Sequence, residues 1–283
     1  MSGVAAAATT QPFTHGRTAP IRLLAARLRA LTPGDPHRYG VSEFRSSIPA
    51  QPEPDRGWKP ASAVPALIEI MRSGSGKHLT ISPALAGATM SGNLGYAAVG
   101  RLAVALSVAG QAYDTGPDSL MLRLTGEGLV EQIAVRRPIL AVLPDDPLAG
   151  RPRVEVLPDR AALIGWAAAR AWATLAPLLE ELHRTTRYGL VPMWNQVADS
   201  VLGPATVAPR LAGLDRPEQW SGRAVGTALI NGLIARGAPI RRHGTVREEL
   251  IDDRLALAPV RGSCCLKFRQ TQERCASCPL VGR

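Results

Sequence analysis

Four cysteines are the residues of this sequence whose type and spacing best support chemistry. Cys264, Cys265, Cys275 and Cys278 lie within fifteen residues of one another, and the preceding 263 residues contain no cysteine. A disulfide framework distributes its cysteines so that distant segments are tied together, which this pattern does not do. Clustered thiols in a reducing compartment more often bind a metal or carry out redox chemistry. The sequence therefore indicates a metal-binding or redox segment attached to a cysteine-free body.

The spacing, written Cys-Cys-x9-Cys-x2-Cys, provides enough thiolates for one four-coordinate site. Cys275 and Cys278 have the separation at which a turn directs two sulfurs at one metal. Neighbouring side chains of an extended strand point to opposite faces, so Cys264 and Cys265 must lie in a bend if both are ligands. Three interpretations remain at this stage: structural zinc, which spacing alone favours, an iron–sulfur cluster, and a redox dithiol.

The tail resembles the C-terminal segment of the FhuF-like ferric-siderophore reductases. That resemblance covers roughly twenty residues, and the gap between the cysteine pairs is nine residues here against the usual ten. A weaker match upstream, Pro192-Met193-Trp194-Asn195 on a predicted helix, resembles a Trp-Asn element of the family body, although Trp194 also suits an ordinary core position. The tail residues that carry the match are Arg261, Cys264, Cys265, Leu266, Phe268, Arg269, Cys275, Cys278 and Pro279.

The resemblance implies a [2Fe-2S] cluster bound by Cys264, Cys265, Cys275 and Cys278, and an enzyme that reduces siderophore-bound Fe³⁺ and releases Fe²⁺. The chemistry is coherent, because one electron converts a hard cation held by oxygen donors into a softer ion that is held less tightly. Basic residues of the tail would offset the negative charge of the thiolates and raise the reduction potential. Those residues are Arg261, Lys267, Arg269 and Arg274.

The partners that follow from the resemblance are a ferric siderophore and a separate electron donor. The chain has no Gly-x-Gly-x-x-Gly after a predicted strand, so we expect electrons from a ferredoxin or an NAD(P)H-dependent reductase. We also expect a siderophore site in the body close to the cluster, and a peripheral contact with a siderophore importer at the inner membrane. The alternatives are a zinc-stabilised binding module with a four-cysteine structural site, for which nucleic acid is one candidate ligand, and a body that binds siderophore without reducing it.

The charge distribution and the local motifs argue against several other classes of protein. The net charge of +10 is spread along the chain rather than gathered in one run, so nucleic acid is not an expected partner. The N-terminal residues lack the pattern of a secretory signal, and we expect a cytoplasmic protein. The segment Gly74-Ser75-Gly76-Lys77 is not a phosphate-binding loop, because Met71 stands where the first glycine is required and His78 follows the lysine.

The elements that must position the cysteines belong to a helix-dominated α+β fold with a small, mostly antiparallel sheet. We expect a flexible leader over 1–19, a body over 20–250 and the cysteine-bearing segment over 251–283. Apolar periodicity predicts helices over 21–31, 62–74, 83–112, 159–183, 190–202 and 222–236. Ser62 and Asp159 are the expected N-caps of the second and fourth of these helices. We expect the third to be interrupted near Gly92 and Gly95, and the fifth to end at Gly203-Pro204. Alternating segments predict strands over 120–124, 133–135, 139–143 and 154–157.

Overall fold

The computed structural model describes residues 21–24, 57–74, 82–211, 214, 220–251, 254–264, 266, 278 and 279. The predicted leader, most of the first helix, and Cys265 and Cys275 lie outside the described residues. Within the described part, the helix-dominated α+β class is confirmed. The predicted boundary between body and tail falls inside a β-hairpin formed by residues 245–260.

After a two-residue strand, the described elements are a first group of helices, a group of short strands, a second group of helices and a final β-hairpin. Residues 21–24 are also helical. The elements are β1 (Lys59–Pro60), α1 (Val64–Gly74), α2 (Pro83–Gly95), a π-helical turn (Tyr96–Gly100), α3 (Arg101–Ala109), β2 (Ala112–Tyr113), β3 (Leu120–Leu124), β4 (Val130–Val135), β5 (Leu140–Val142), β6 (Val154–Val156), α4 (Arg160–Thr186), α5 (Leu190–Leu211), α6 (Gly222–Ile234), β7 (Thr245–Ile251) and β8 (Arg254–Val260).

Short polar side chains start three of these helices. The side chains of Ser82, Asp159 and Ser221 accept hydrogen bonds from backbone N–H groups in the first turns of α2, α4 and α6. Such caps satisfy donors that have no partner inside the helix. Asp159 was expected in this role, whereas helix α1 begins at Val64, two residues beyond the expected cap at Ser62.

The core is built around the continuous helical segment 83–109. Every residue of α3 is buried, and α2, the π-helical turn and α3 all pack against α5. Helix α4 packs on α2 and on α6, and α6 packs on α5. The regular α-helix ends at Gly95, where the sequence predicted an interruption, but it continues through Gly92 without a break. The chain stays helical beyond Gly95 as a π-helical turn over Tyr96–Gly100, in which the hydrogen-bonded ring is one residue larger than in an α-helix.

The strands form two small three-stranded sheets and one hairpin. In the first sheet the order is β1-β3-β4 and both pairings are antiparallel, with Leu122 opposite Ile133. In the second the order is β2-β5-β6, and the β5-β6 pairing is parallel. The hairpin of β7 and β8 places Thr245 opposite Val260, so the chain enters and leaves it at one end. The predicted small sheet is therefore divided between two sheets.

Helix α5 extends past the predicted stop at Gly203-Pro204 and ends at Leu211 with Pro204 and Pro209 inside it. A proline has no N–H to donate to the carbonyl four residues earlier, which here means Ser200 and Ala205. A Cβ on Gly100 would collide with the Ser200 carbonyl oxygen, and a Cβ on Gly222 with that of Ala205. Neighbouring glycines therefore bring backbone close to the two carbonyls that the prolines leave without a helical donor.

Two helical segments, Pro83–Ala109 and Arg160–Thr186, are long and apolar enough to cross a membrane by length and composition. Their most apolar windows are 83% and 50% buried inside the protein. Core helices of soluble proteins pass the same test, and the structure is compatible with a soluble protein.

Candidate metal centre

Two chain segments at the open end of the hairpin lie against helix α5. Because Thr245 is opposite Val260, residues 241–244 enter the hairpin beside residues 261–264, which leave it. Gly262 packs directly on the backbone of His243, and a Cβ at that glycine would collide with the His243 carbonyl group. The first predicted ligand, Cys264, follows this contact by two residues. The hairpin therefore delivers Cys264 to one face of α5.

Asp199 of α5 anchors the segment that precedes Cys264. Its side chain is 1% exposed, and one carboxylate oxygen accepts the Gly262 N–H at 2.8 Å. The other oxygen accepts the Ser263 N–H at 2.9 Å and also the Ser263 hydroxyl. The Arg261 guanidinium lies 3.8 Å from that second oxygen. A buried carboxylate is stable only when it is paired and hydrogen-bonded, and both conditions are met here.

Gln196, one turn earlier on α5, is fully buried, and its side chain contacts both Arg261 and Cys264. Its amide nitrogen donates to the Cys264 carbonyl oxygen at 2.8 Å. Its amide oxygen accepts a hydrogen bond from the Arg261 guanidinium. Both hydrogen-bonding ends of the amide are therefore used, which fixes the backbone at Cys264 and the side chain at Arg261.

Asn195 performs the corresponding task for the incoming segment. It is 7% exposed, and its side-chain oxygen accepts the backbone N–H groups of Arg241 and Arg242 at 3.0 and 3.1 Å. Trp194, its neighbour in the predicted Trp-Asn element, is buried and stacks on Trp172 with 5.0 Å between ring centroids. Trp194 is thus a core residue, and Asn195 is the member of the pair that holds the incoming segment at residues 241 and 242.

The turn at Cys264 brings a backbone donor to its sulfur. The N–H of Leu266 lies 3.4 Å from Cys264 Sγ. Leu266 adopts a left-handed backbone conformation with φ of 62°, which costs a residue other than glycine about 1–2 kcal/mol. Two consecutive cysteines can both be metal ligands only where the chain bends, and the turn after Cys264 supplies such a bend. N–H donors to a cysteine sulfur are among the features that tune metal–thiolate centres.

Cys278 is the second ligand candidate that the structure describes. It is 4% exposed, and Cys264 is half-buried, and neither forms a disulfide. Cys265 and Cys275 lie outside the described residues, and the described residues contain no group of three or more His, Cys, Asp or Glu side chains that could hold a metal. The buried free thiol and the N–H donor at Cys264 both fit a site in which thiolates bind metal away from water.

Of the four basic residues named for the tail, Arg261 is the one that the structure describes, and its side chain contacts helix α5 of the body. Arg261 was expected to offset thiolate charge, but its guanidinium contacts Asp199 and Gln196. Its positive charge is therefore largely compensated by a buried carboxylate, and it fixes the segment rather than adding a free cation. The other three basic residues, Lys267, Arg269 and Arg274, lie outside the described residues.

Sequence reasoning missed Gln196 and Asp199, although α5 carries a signal for them. Asn195 and Asp199 are four residues apart, as are Gln196 and Ser200, so both pairs occupy adjacent rows on one side of a helix. Polar pairs at this spacing in an otherwise apolar helix indicate a surface that contacts backbone. The hydroxyl of Ser200 donates to the Gly92 carbonyl oxygen at 2.9 Å.

Comparison with known proteins adds no assignment. No protein-family model matches the chain, and no curated protein matches it at a significant level. The family resemblance therefore stays a prediction that rests on the tail motif.

Proposed function

We propose that this protein is a ferric-siderophore reductase that binds a [2Fe-2S] cluster through Cys264, Cys265, Cys275 and Cys278. The resemblance of the cysteine-bearing tail to that of the FhuF-like reductases carries the proposal, because the spacing alone would favour zinc. The structure supports it at Cys264, where a strained turn directs the Leu266 N–H at the sulfur. It supports it also at Cys278, a buried thiol without a disulfide partner.

A [2Fe-2S] cluster, when bound, supplies a one-electron carrier suited to reducing siderophore-bound Fe³⁺ to Fe²⁺. The protein's own residues hold the backbone at the first of the four ligands. Asp199 and Gln196 fix the backbone of residues 262–264 against α5, so that the first ligand is not carried on a free tail. Positioning by groups behind the ligands is a general determinant of metal affinity.

The electron donor in this proposal is a separate acidic protein of the ferredoxin type. Arg241 and Arg242 are exposed, and their backbone is held by Asn195 beside the outgoing tail. Exposed guanidinium groups at this place provide positive potential next to the cysteine segment, which speeds association with an acidic partner. We place the activity in the cytoplasm, where the product Fe²⁺ and the free thiols are both maintained.

The decisive experiment is anaerobic purification followed by a visible spectrum and by counts of iron and acid-labile sulfide. We expect a red-brown protein with two irons and two sulfides per chain. Cys278→Ser should lose the cluster, whereas Ala276→Ser, which leaves all four cysteines in place, should retain it. A colourless protein that contains zinc and no sulfide would overturn the proposal and leave the zinc-stabilised binding module.

Activity is tested with a ferric siderophore, a chemical reductant and a ferrous-iron trap. We expect the wild type and Ala276→Ser to release iron, and Cys278→Ser to release none above the rate without protein. Equal release by Cys278→Ser would show that the cluster does not take part. That result would favour a body that binds siderophore without reducing it.

A further inference from the structure

A buried cation begins helix α3 without an acidic partner. Arg101 is 3% exposed, and its Nε has no hydrogen-bond partner in the described structure. Its guanidinium carbon lies 5.3 Å from the centroid of the Tyr96 ring, which is a cation–π contact and not a neutralising one. None of the ion pairs observed among the described residues includes Arg101.

A second unsatisfied group lies close enough to Arg101 to interact with it electrostatically. Tyr113 is completely buried, and its hydroxyl has no hydrogen-bond partner in the part of the chain that the structure describes. Burial raises the pKa of Tyr113 well above its ordinary value, although the Arg101 cation acts in the opposite direction. The phenol therefore remains protonated and, like Arg101 Nε, offers an N–H or O–H donor.

The nearest acidic residue along the chain does not compensate this cation. Asp114 follows Tyr113, but it accepts the Gly116 N–H at 2.8 Å and lies 3.5 Å from the Arg170 guanidinium. The side-chain oxygens of Gln111 and Thr115 are also buried without partners among the described residues.

Buried polar groups in native proteins are nearly always hydrogen-bonded, and buried charges are nearly always paired. A buried guanidinium with an unpartnered Nε, near a buried phenol with an unpartnered hydroxyl, is a costly arrangement that packing alone does not explain. The π-helical turn Tyr96–Gly100 immediately precedes Arg101, and such turns occur frequently at functional sites. The region therefore has the features of a binding site rather than of a structural ion pair.

We propose that Arg101 and Tyr113 form a binding site for a carboxylate-bearing ligand. A carboxylate supplies the acceptors that Arg101 Nε and the Tyr113 hydroxyl lack, and its single negative charge balances the single guanidinium. A phosphate has a higher charge and more acceptor oxygens, and it would find fewer donors than it needs. This site belongs to the body and does not depend on which metal the cysteine tail binds.

The proposal is tested by thermal unfolding of the full-length protein in sodium acetate and in sodium chloride at equal ionic strength. We expect acetate to raise the melting temperature of the wild type in a saturable way, because a ligand that binds only the folded state stabilises it. Arg101→Met and Tyr113→Phe should abolish or sharply reduce this shift. Inorganic phosphate, the third probe, should produce a smaller shift than acetate.

The variants also separate a binding role from a structural one in the absence of ligand. Removing an unpaired buried charge or hydroxyl relieves a desolvation penalty, so Arg101→Met and Tyr113→Phe should melt at or above the wild-type temperature in chloride. The matched control is Thr174→Val, because the Thr174 hydroxyl is buried but donates to the Thr115 carbonyl oxygen at 2.6 Å. It should melt about 2–4 °C lower and keep the acetate shift.

Two outcomes would overturn the proposal. An acetate shift of the same size in wild type, Arg101→Met and Tyr113→Phe would mean that acetate acts elsewhere. No acetate shift in the wild type, together with a lower melting temperature for Arg101→Met in chloride, would make Arg101 a structural residue.

Discussion

Two buried charges on packed helices have opposite environments. Asp199 on α5 accepts three hydrogen bonds from residues 262 and 263 and faces the Arg261 guanidinium. Arg101 at the start of α3 has an unpartnered Nε and faces an aromatic ring. The two are separated by a helix crossing, since Gly100 packs on the backbone of Ser200.

The two environments indicate different roles for the two charged side chains. A saturated carboxylate that holds backbone N–H groups fixes a segment in one position, so removing it should loosen that segment. A cation without a counter-charge lowers the stability of the folded state unless a ligand is present. Burial lowers the pKa of Arg101, which shows the same penalty. We therefore expect substitutions at the two places to change stability in opposite directions.

The largest expected effect comes from the contact that precedes Cys264. In Gly262→Ala the new methyl group would overlap the His243 carbonyl group, so the segment must separate from residues 241–244. We expect a loss of about 3 kcal/mol of docking free energy, at the upper end for overpacking. The measurement is the rate of Cys264 alkylation in metal-free protein, compared by mass spectrometry.

The matched control for that experiment is Gly165→Ala, because a Cβ on Gly165 in α4 has no atom within 4 Å. It should leave alkylation unchanged and slightly stabilise the helix. If both glycine variants react at the wild-type rate, the contact of Gly262 with His243 does not hold the tail.

Asp199→Asn should have the next largest effect. Asparagine has nearly the same shape, but its NH₂ group would replace one acceptor oxygen and would face backbone N–H donors. Arg261 would also lose its counter-charge. We expect about 2–3 kcal/mol less docking free energy. The measurements are Cys264 alkylation without metal and the rate of metal loss to a chelator, and both should rise whichever metal is bound.

Asp159→Asn is the control for this substitution. Asp159 also accepts a backbone N–H, that of Ala162 at 2.8 Å, but asparagine is an equally good helix cap. Equal changes in the two asparagine variants would assign the Asp199 effect to general stability rather than to the tail.

Gln196→Met removes both hydrogen bonds of the amide and leaves the Cys264 carbonyl oxygen without that donor. We expect a loss of about 1–3 kcal/mol, smaller than at Asp199 because no charge is unpaired. Chelator-driven metal loss should quicken accordingly, while Gln132→Met on β4 should leave it unchanged. A wild-type rate in Gln196→Met would show that Asp199 alone positions the segment.

The smallest effect should come from an exposed charge. Arg72 holds the pKa of Glu69 below its ordinary value through a hydrogen-bonded contact on the surface of α1. A lowered pKa stabilises the folded protein above the unfolded-state pKa, and that contribution disappears as pH falls through the folded-state value. Because solvent screens the pair, Glu69→Gln should not change the melting temperature measurably at pH 7.

Much of the fold followed from local patterns. Apolar periodicity located the helices, and Asp159 was identified as a cap because its position before an apolar helix has a local cause. The stop predicted at Gly203-Pro204 was wrong, because packing of α5 against its neighbours outweighs the helix-breaking tendency of Pro204. Tertiary context decides such cases, and it is not encoded within a few residues.

The candidate site also contains residues that the sequence could identify and residues that it could not. The cysteines could be identified because metal ligands have a characteristic spacing within a short segment. Asp199 and Gln196 could not be paired with residues 261–264, since more than sixty residues separate them and only the hairpin brings them together. The lack of an ion pair at Arg101 could not be predicted either, because it depends on which groups every neighbouring element fails to supply.

The prolines inside α5 constrain how this chain can change during evolution. Pro204 and Pro209 leave the Ser200 and Ala205 carbonyls without a helical donor, and Gly100 and Gly222 pack on those same two carbonyls. A larger residue at either glycine meets backbone, which no change of rotamer can relieve. Among sequences that share this helix pairing, we expect each glycine to be kept wherever its proline is kept, and the two positions of each pair to change together.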